Sequence, residues 1–320
     1  MPDLSVVIVS WNVQDLLREC LRSILEADDI VLDHSMSSTI NQPSIEIIVV
    51  DAGSNDDTPL MLRTEFPSVQ LIEMGDNVGF SKGNNIGITA SQGNYVMLLN
   101  PDTQIVSNAL STLIGYLQGN PQVGVVGPKL LNTDGSTQSS RRRFPTLWTG
   151  IFESTWLEHF APPGLLDWYY MADQDEKFVT PVDWLTGAAL VVRREAIDQV
   201  GSFDEAYFMY SEELDWQKRI KGAGWEIIYL PIAQVIHYGG MSSDQVVPLR
   251  HIRFQSSKIR YFHKHHGPLA AALIRSVILG NYVGQLALEA VKGLFGHKRD
   301  LRQERVRAYW QVLRSGLRSS

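Results

Sequence analysis

One cysteine, Cys20, occurs in 320 residues, so no intrachain disulfide can form and a reducing compartment suits the chain. Neither G-x-G-x-x-G nor a Walker A loop is present, and phosphate, if it is bound, must be held in another way. The opening residues, MPDLSVVIVSW, have no basic n-region and place Asp3 before the apolar run. They predict a first strand in place of a signal peptide, hence a cytoplasmic chain. Internal repeats and low-complexity tracts are lacking too. Near the C-terminus, only 13 residues between Arg275 and Glu289 are free of charge. A spanning helix needs about 20 apolar residues, so the expectation is no transmembrane segment.

What is present is enough for one large core, since 44% of the residues are hydrophobic. Apolar, β-branched runs recur at SVVIVS, IEIIVVD, VQLIEMG, YVMLLN and VGVVGPKL, separated by helix-compatible segments such as VQDLLRECLRSILEA and SNALSTLIGYLQG. This alternation predicts an α/β fold with a mainly parallel sheet. Residues 28–44 interrupt the first crossover with turn-forming residues and read as a surface excursion. The expected domains are 1–247, with halves over about 1–127 and about 128–247, and a basic helical extension over 248–320.

The formal charge of -7 hides an asymmetry, because fourteen Lys and Arg face three acids from Arg250 onward, which puts +11 in the tail and -18 in the rest. An acidic body excludes a nucleic-acid enzyme. A cationic tail fits an anionic surface.

Ligands of open parallel sheets bind beyond the carboxyl ends of strands, and here those ends read SWN, DAGSND, GDNVGF and NPD. Asp51, directly after IIVV, can accept from a base imide N–H or a ribose hydroxyl. Gly53 to Asp57 read as a turn and helix cap. In GDNVGFSKGNNIG the glycines suit close packing, while Asn77, Asn84, Asn85 and Lys82 point to a polar ligand. Pro101 ends the strand at Asn100 and holds Asp102 at an exposed edge, where it can ligate Mg²⁺ or Mn²⁺ with diphosphate oxygens completing the shell. In YSEELDWQKR, Ser211 suits an N-cap and the first-turn acids suit the helix dipole. Asp215 also faces Arg219 at i,i+4, so Glu212 or Glu213 is the better candidate for a general base. His237, at the end of a strand, could complete a mixed Asp/His metal site.

Taken in order, VVIVSWN, IIVVDAGSNDDT, NVGFSKGNN, LLNPD, WLTGAALVVRREA, GSFDEAYFMYSEELDWQKRIKGAGW, VIHYGG and KHHG resemble the family 2 glycosyltransferases of GT-A fold, in particular their rhamnosyltransferase-like branch, over roughly residues 4 to 267. The resemblance implies a Rossmann-like, mainly parallel GT-A sheet with flanking helices and an inverting, metal-dependent transferase. It would move a sugar from a nucleotide diphosphate, dTDP or UDP, to a hydroxyl of a glycan or lipid-linked acceptor in envelope polysaccharide synthesis. By position it places Ser10, Asn12, Asp51, Asn77 and Lys82 at the nucleotide, Asn100-Pro101-Asp102 in place of Asp-x-Asp, Glu213 as the base with Glu212 and Asp215 as contenders, and His237 with Asp102 at the metal. Trp184, Gly187, Arg142 and Arg143 would shape the acceptor side, aromatic faces suiting sugars and arginines suiting phosphate.

Two departures, the incomplete Asp-x-Asp and Ala52 in place of a frequent Asn, support a rival reading: an inactive nucleotide-sugar-binding or scaffold subunit of a polysaccharide assembly complex. A sugar nucleotidyltransferase is disfavoured, because SWNVQD is not a glycine-rich basic loop. The tail reads as a helix pair lying on the inner face of the cell membrane, its cations meeting anionic lipid, or as a hairpin packed on the catalytic domain or on a second copy of the chain.

Overall fold

A computed structural model describes residues 1–32, 42–239, 247–294 and 299–317. Most of the excursion expected over 28–44, Gly240, the tail cations Lys298 and Arg318, and the side chain of Arg299 lie outside what is described. The strands are β1 (Leu4–Ser10), β2 (Val31–Leu32), β3 (Ser44–Asp51), β4 (Gln70–Glu73), β5 (Tyr95–Leu99), β6 (Thr103–Val106), β7 (Val123–Leu131), β8 (Thr137–Gln138), β9 (Arg141–Arg142), β10 (Thr180–Pro181), β11 (Trp184–Leu185), β12 (Ala189–Arg193) and β13 (Glu226–His237). The helices are α1 (Gln14–Leu25), α2 (Thr58–Glu65), α3 (Phe80–Ala90), α4 (Ala109–Gly119), α5 (Leu147–Phe152), α6 (Leu165–Tyr169), α7 (Arg194–Val200), α8 (Glu212–Gly222), α9 (Val247–His266), α10 (Pro268–Leu294) and α11 (Arg299–Ser315).

The chain forms two compact units, and the second draws in two segments from before residue 247. One comprises Met1–Phe144, Tyr170–Glu205 and Glu212–Ser242; the other Pro145–Tyr169, Ala206–Ser211 and Ser243–Ser320. The first unit is built on a sheet in the order β10-β13-β7-β12-β5-β1-β3-β2. Pairs β1/β3, β1/β5, β3/β4 and β7/β13 are parallel, as the alternation of apolar runs and helices predicts. β12 departs from this in the middle of the sheet, antiparallel to both β5 and β7, and the short strands β6, β8 and β10 also pair antiparallel.

Both faces of the sheet are covered, which is why its strands read as continuous apolar runs. Side chains alternate between two cores: Leu4, Val6, Ile8, Met97 and Val191 lie on one face with α1, α2 and α4, while Val7, Val96, Leu98 and Val192 lie on the other with Ile88, Ala196, Trp216 and Ile220. On that second face α3 sits very close to β1. A Cβ at Gly83 would come within 2.8 Å of Val9 Cγ1, and one at Gly87 would overlap Val7 Cγ1. Close packing therefore accounts for these glycines. Asn84 and Asn85 are also internal: Asn84 Nδ2 donates to Phe80 O at 2.9 Å, and Asn85 both donates to Phe203 O and accepts from Phe203 N. The polar ligand expected from these two amides is corrected by this finding, since their hydrogen bonds tie α3 to the 203 loop.

The second unit packs α9, α10 and α11 with α5 and α6. Gly150 lets α5 lie flush on Phe262, and Asn281 Oδ1 accepts from Trp156 N at 3.0 Å. The stretch expected as a helix pair, from Leu269 onward, forms α10 and α11, and α9 precedes it. Contrary to the expectation from its uncharged run, α10 is long and apolar enough over Pro268–Gly293 to cross a membrane by length and composition. Two of its three charges are partnered, Glu289 with Arg302 at 2.8 Å and Arg275 Nε donating to Gly316 O at 2.7 Å, while Lys292 is exposed. Its outer face, which includes Leu269, Leu273, Val283, Leu288 and Val291, carries exposed apolar groups.

The α3–β1 contact yields a double-mutant test. Gly87→Ala is expected to destabilise the chain by about 1–3 kcal/mol in urea unfolding through overpacking. In a Val7→Ala background the obstacle is gone, and the same change should be neutral or stabilising by up to about 1 kcal/mol through helix propensity. Equal costs in both backgrounds would contradict the packing described.

Candidate functional site

The parallel register pairs Ser10 with Asp51 at the carboxyl ends of β1 and β3. The loops that follow clasp each other. Asn12, at φ 53°, donates its amide to Ser54 Oγ at 3.0 Å and accepts Asn55 N on its side-chain oxygen at 2.7 Å, while Gln14 N reaches Asp56 Oδ2 at 3.2 Å. Ser54 and Asn55 thus brace Asn12 and do not cap α2; Asp56 Oδ1 meets the Thr58 amide at 3.1 Å instead. Gly53, at φ 70°, leaves room for the Asp76 backbone, which a Cβ would approach to 3.0 Å.

Inside this clasp Asp51 is buried, and its Oδ2 accepts from Ser54 N at 3.0 Å. Its Oδ1 and the Oγ of Ser10 are buried without a hydrogen-bond partner. Buried polar atoms are nearly always satisfied, so a carboxylate oxygen and a hydroxyl left open at neighbouring strand ends mark a place for a polar ligand. Asn77 shapes the entry to α3 by accepting from Gly79 N at 3.0 Å, and Lys82 is exposed on that helix.

A second group forms where β5 ends. Asp102 is buried, not exposed as expected, because β6 continues immediately and pairs with β13, setting Thr103 opposite His237. Asp102 Oδ1 lies 3.4 Å from His237 Nε2, and Asn100 Nδ2 lies 3.4 Å from the same nitrogen. His237 Nδ1 is 2.6 Å from Gln138 Oε1. A carbonyl oxygen only accepts, so Nδ1 carries a proton, and Nε2 faces Asp102 either as the donor of an ion pair or, as a lone pair, toward a cation shared with that carboxylate. Asn100 Oδ1, buried and without a hydrogen-bond partner, adds a third donor atom of the kind cations accept. These atoms fit a divalent metal bound by mixed oxygen and nitrogen, although no group of three or more His, Cys, Asp or Glu occurs among the described residues.

The third group stands at the start of α8. Glu212 is buried, and burial together with the neighbouring Glu213 charge pushes its carboxyl well above the usual range. Burial also raises Glu213, opposed by N–H groups of Glu213, Gly187 and Leu214 and by the charge of Arg142. Asp215, fully buried, is committed to Arg219 at 3.1 Å, and that guanidinium also holds the carbonyls of Val200 and Ser202. It is a structural acid.

Residues 185–188 join the second and third groups. Asn100 N donates to Ala188 O at 2.9 Å, while the adjacent Gly187 packs against the Glu213 side chain. Buried Gln217 locks this loop to α8, accepting from Leu185 N at 2.8 Å and donating to Leu185 O at 2.7 Å. Gln217 and Gln138 escape a reading of the sequence because a glutamine in a helix or strand carries no signature of the partner it will meet.

On the expected acceptor side, Trp184 is corrected: it is buried, with Nε1 donating to Arg143 O at 3.0 Å, so its face is not a sugar platform. Arg143 forms a two-pronged pair with Asp173 at 2.8 Å. Arg142 lies over the Tyr170 ring at 4.5 Å and holds Ser139 Oγ at 2.9 Å. Of this set, Gly187 and Arg142 act on Glu213.

The model described as Glycosyl transferase family 2 matches residues 5–201. The chain is 32% identical over 266 residues to the N-acetylglucosaminyl-diphospho-decaprenol L-rhamnosyltransferase of Mycobacterium tuberculosis, covering 78% of this chain and 86% of that protein. It is 27% identical over 255 residues to the rhamnosyltransferase WbbL of Escherichia coli, covering 73% and 82%. Among solved structures, a mannosyltransferase from Pyrobaculum calidifontis in complex with GDP-Man and Mn²⁺ shares the fold at a TM-score of 0.55 and 16% identity, over 99% of this chain and 87% of that one.

Glu212 gives a stability test with a definite sign. A carboxyl whose folded pKa is raised keeps its proton in the native state after the unfolded chain has lost it, so stability falls as pH rises above the unfolded value. Glu212→Gln removes this penalty. The melting temperature of the variant relative to wild type should therefore increase from pH 5 to pH 8; a constant difference would show that Glu212 ionises normally.

Proposed function

Because the chain belongs to glycosyl transferase family 2, whose model spans more than half of it, we propose that it transfers a sugar from a nucleotide diphosphate to a hydroxyl with inversion. Rhamnose as the sugar and a lipid-linked glycan of an envelope polysaccharide as the acceptor are the reading its relatives support. The observation that carries the proposal is the loop 185–188, which hydrogen-bonds to the NPD turn through Ala188 and to α8 through Gln217, with Gly187 packed against Glu213. An inactive scaffold would have little reason to keep a buried acid aligned in this way.

The open atoms of Ser10 and Asp51 are the donor's anchor. A carboxylate there accepts the imide N–H of thymine or uracil, or a ribose hydroxyl, which favours a dTDP- or UDP-sugar. Asp102 and His237, with Asn100 beside them, would hold Mn²⁺ or Mg²⁺. A metal bound there supplies positive charge to the leaving diphosphate.

Glu213 is the general base. Its raised pKa makes it a better proton acceptor than an ordinary surface glutamate, while the Gly187 N–H and the start of α8 keep it ionisable. It takes the acceptor proton as the hydroxyl attacks the anomeric carbon opposite the leaving diphosphate. One displacement on one face inverts the centre. Glu212, held protonated, does not compete for that proton.

Glu213→Gln should reduce turnover by about 10²–10⁴ with nucleotide affinity preserved. Asp102→Ala should abolish transfer and weaken Mn²⁺ binding read by calorimetry. Full turnover of wild type in EDTA removes the metal assignment; retained activity in Glu213→Gln with loss in Glu212→Gln moves the base by one residue; and no transfer or donor hydrolysis by the wild type favours the scaffold reading.

In this reading a catalytic part over 1–247 is followed by a membrane-facing extension, with the chain cytoplasmic and peripheral on the inner face of the cell membrane. Support comes from the exposed apolar face of α10 and from exposed Arg307, Trp310 and Arg314 along one side of α11. Sedimentation of full-length protein with anionic but not neutral vesicles at low salt is the expected outcome. Equal recovery in both supernatants would leave a homodimer as the role of the tail.

A further inference from the structure

The only cysteine of the chain is buried in the middle of α1, beneath the NPD turn. Cys20 Sγ lies 3.7 Å from Asn100 O and 3.5 Å from Thr103 Oγ1. Thr103 is buried as well, and its hydroxyl donates to Asn100 O at 2.7 Å, closing the turn from Asn100 to Thr103 with a side chain. Three residues along α1 from Cys20, Ser23 Oγ accepts from Ile105 N at 3.0 Å and donates to Cys20 O at 2.7 Å. Ser23 thus fastens β6 to α1, whereas Thr103 bonds within its own turn.

The turn is held from both ends. Asn100 N donates to Ala188 O at 2.9 Å, Asn100 O accepts from Thr103, and Asp102 O accepts from Tyr238 N at 2.9 Å. Between these anchors stand the two oxygens of the candidate metal site, Asn100 Oδ1, buried without a hydrogen-bond partner, and Asp102 Oδ1, 3.4 Å from His237 Nε2. They depend on placement to different degrees. A carboxylate draws a cation by its charge over some distance, but an amide oxygen is neutral and attracts one only when its dipole is already aimed. A turn with Asn in place of an acid therefore needs its backbone fixed in advance.

We propose that Thr103 is a positioning residue for the metal: its hydroxyl fixes the Asn100 peptide, so that the amide oxygen stands ready beside Asp102 and offsets the carboxylate this turn lacks. The thiol of Cys20, a weak donor, supports the same carbonyl from behind. The inference rests on the metal reading above and adds to it a residue that touches neither metal nor substrate. Partners of this kind tune ligand placement and hence affinity.

The test reads Mn²⁺ binding by calorimetry on the full chain, at a temperature where circular dichroism shows each variant folded. Thr103→Val keeps the shape and deletes the hydroxyl; it should weaken Mn²⁺ by about tenfold. Thr103→Ala sets no methyl against the Asn100 carbonyl, serves if the valine variant misfolds, and should show a loss of the same order. Thr103→Ser keeps the hydroxyl and should return the affinity to within about threefold of wild type. Ser23→Ala is the structural control: it loses the bond to Ile105 and should lower Tm while leaving Mn²⁺ affinity unchanged. Turnover of Thr103→Val should fall at low Mn²⁺ and climb towards wild type as Mn²⁺ is raised, a dependence that general loosening of the fold would not give. Wild-type Mn²⁺ affinity in both Thr103→Val and Thr103→Ala overturns the proposal. An equal loss in Ser23→Ala, or no recovery in Thr103→Ser, overturns it too, leaving Thr103 as part of the fold. A loss in Asp102→Ala with none in the Thr103 variants removes only the role of Thr103; wild-type affinity in Asp102→Ala, or no Mn²⁺ binding by the wild type, removes the metal reading itself.

Discussion

The hydrogen bond from the Asn100 amide to the Ala188 carbonyl, at 2.9 Å, is the contact on which the candidate site depends. It exists because β12 enters the sheet antiparallel between β5 and β7, so the residues just before β12 meet the residues just after β5. One residue further back, Gly187 packs against the Glu213 side chain. The backbone hydrogen bond resists movement, because breaking it would strand two polar groups in a largely buried place. It holds the NPD turn in register with the loop that packs on the start of α8.

Around that contact each buried charge has a different compensation. Asp215 is matched by Arg219, Glu213 by backbone N–H groups and the more distant Arg142, and Glu212 by its own proton. Three acids in one helical turn would repel one another if all were ionised, and the dipole of a single helix offsets only a fraction of that cost. The environment separates them into an ion-paired acid, Asp215, and two acids raised by burial, of which Glu213 also lies against Gly187. Similar logic applies at the other end of the loop, where Gln138 orients the His237 ring and thereby decides which nitrogen faces Asp102.

The second unit follows a different rule. In α10 Glu289 and Arg275 have partners within the unit while exposed apolar groups line the outer face. In α9 four of the five cations share one face, two of them over aromatic rings.

By itself the sequence determined the strands and most of the helices, because period-two and period-3.6 patterns are local and both faces of the sheet are buried. It also determined the ends of β1, β3 and β5 as places for ligands, and Asp51, Asp102, Glu213 and His237 as residues to examine, since strand ends and first helical turns can be recognised from neighbours in the chain. Only the tertiary structure decided which polar residues were already committed. Asn84, Asn85 and Trp184 look equally available in a string of letters, yet their partners are backbone carbonyls of Phe80, Phe203 and Arg143. Gln217 and Gln138 acquire their roles from contacts 32 and 99 residues away, and Glu289 of α10 finds its partner, Arg302, beyond the end of its own helix. Periodicity specifies which way a side chain faces, but the partner it meets there is set by how separate segments pack, and that is not written in any one of them.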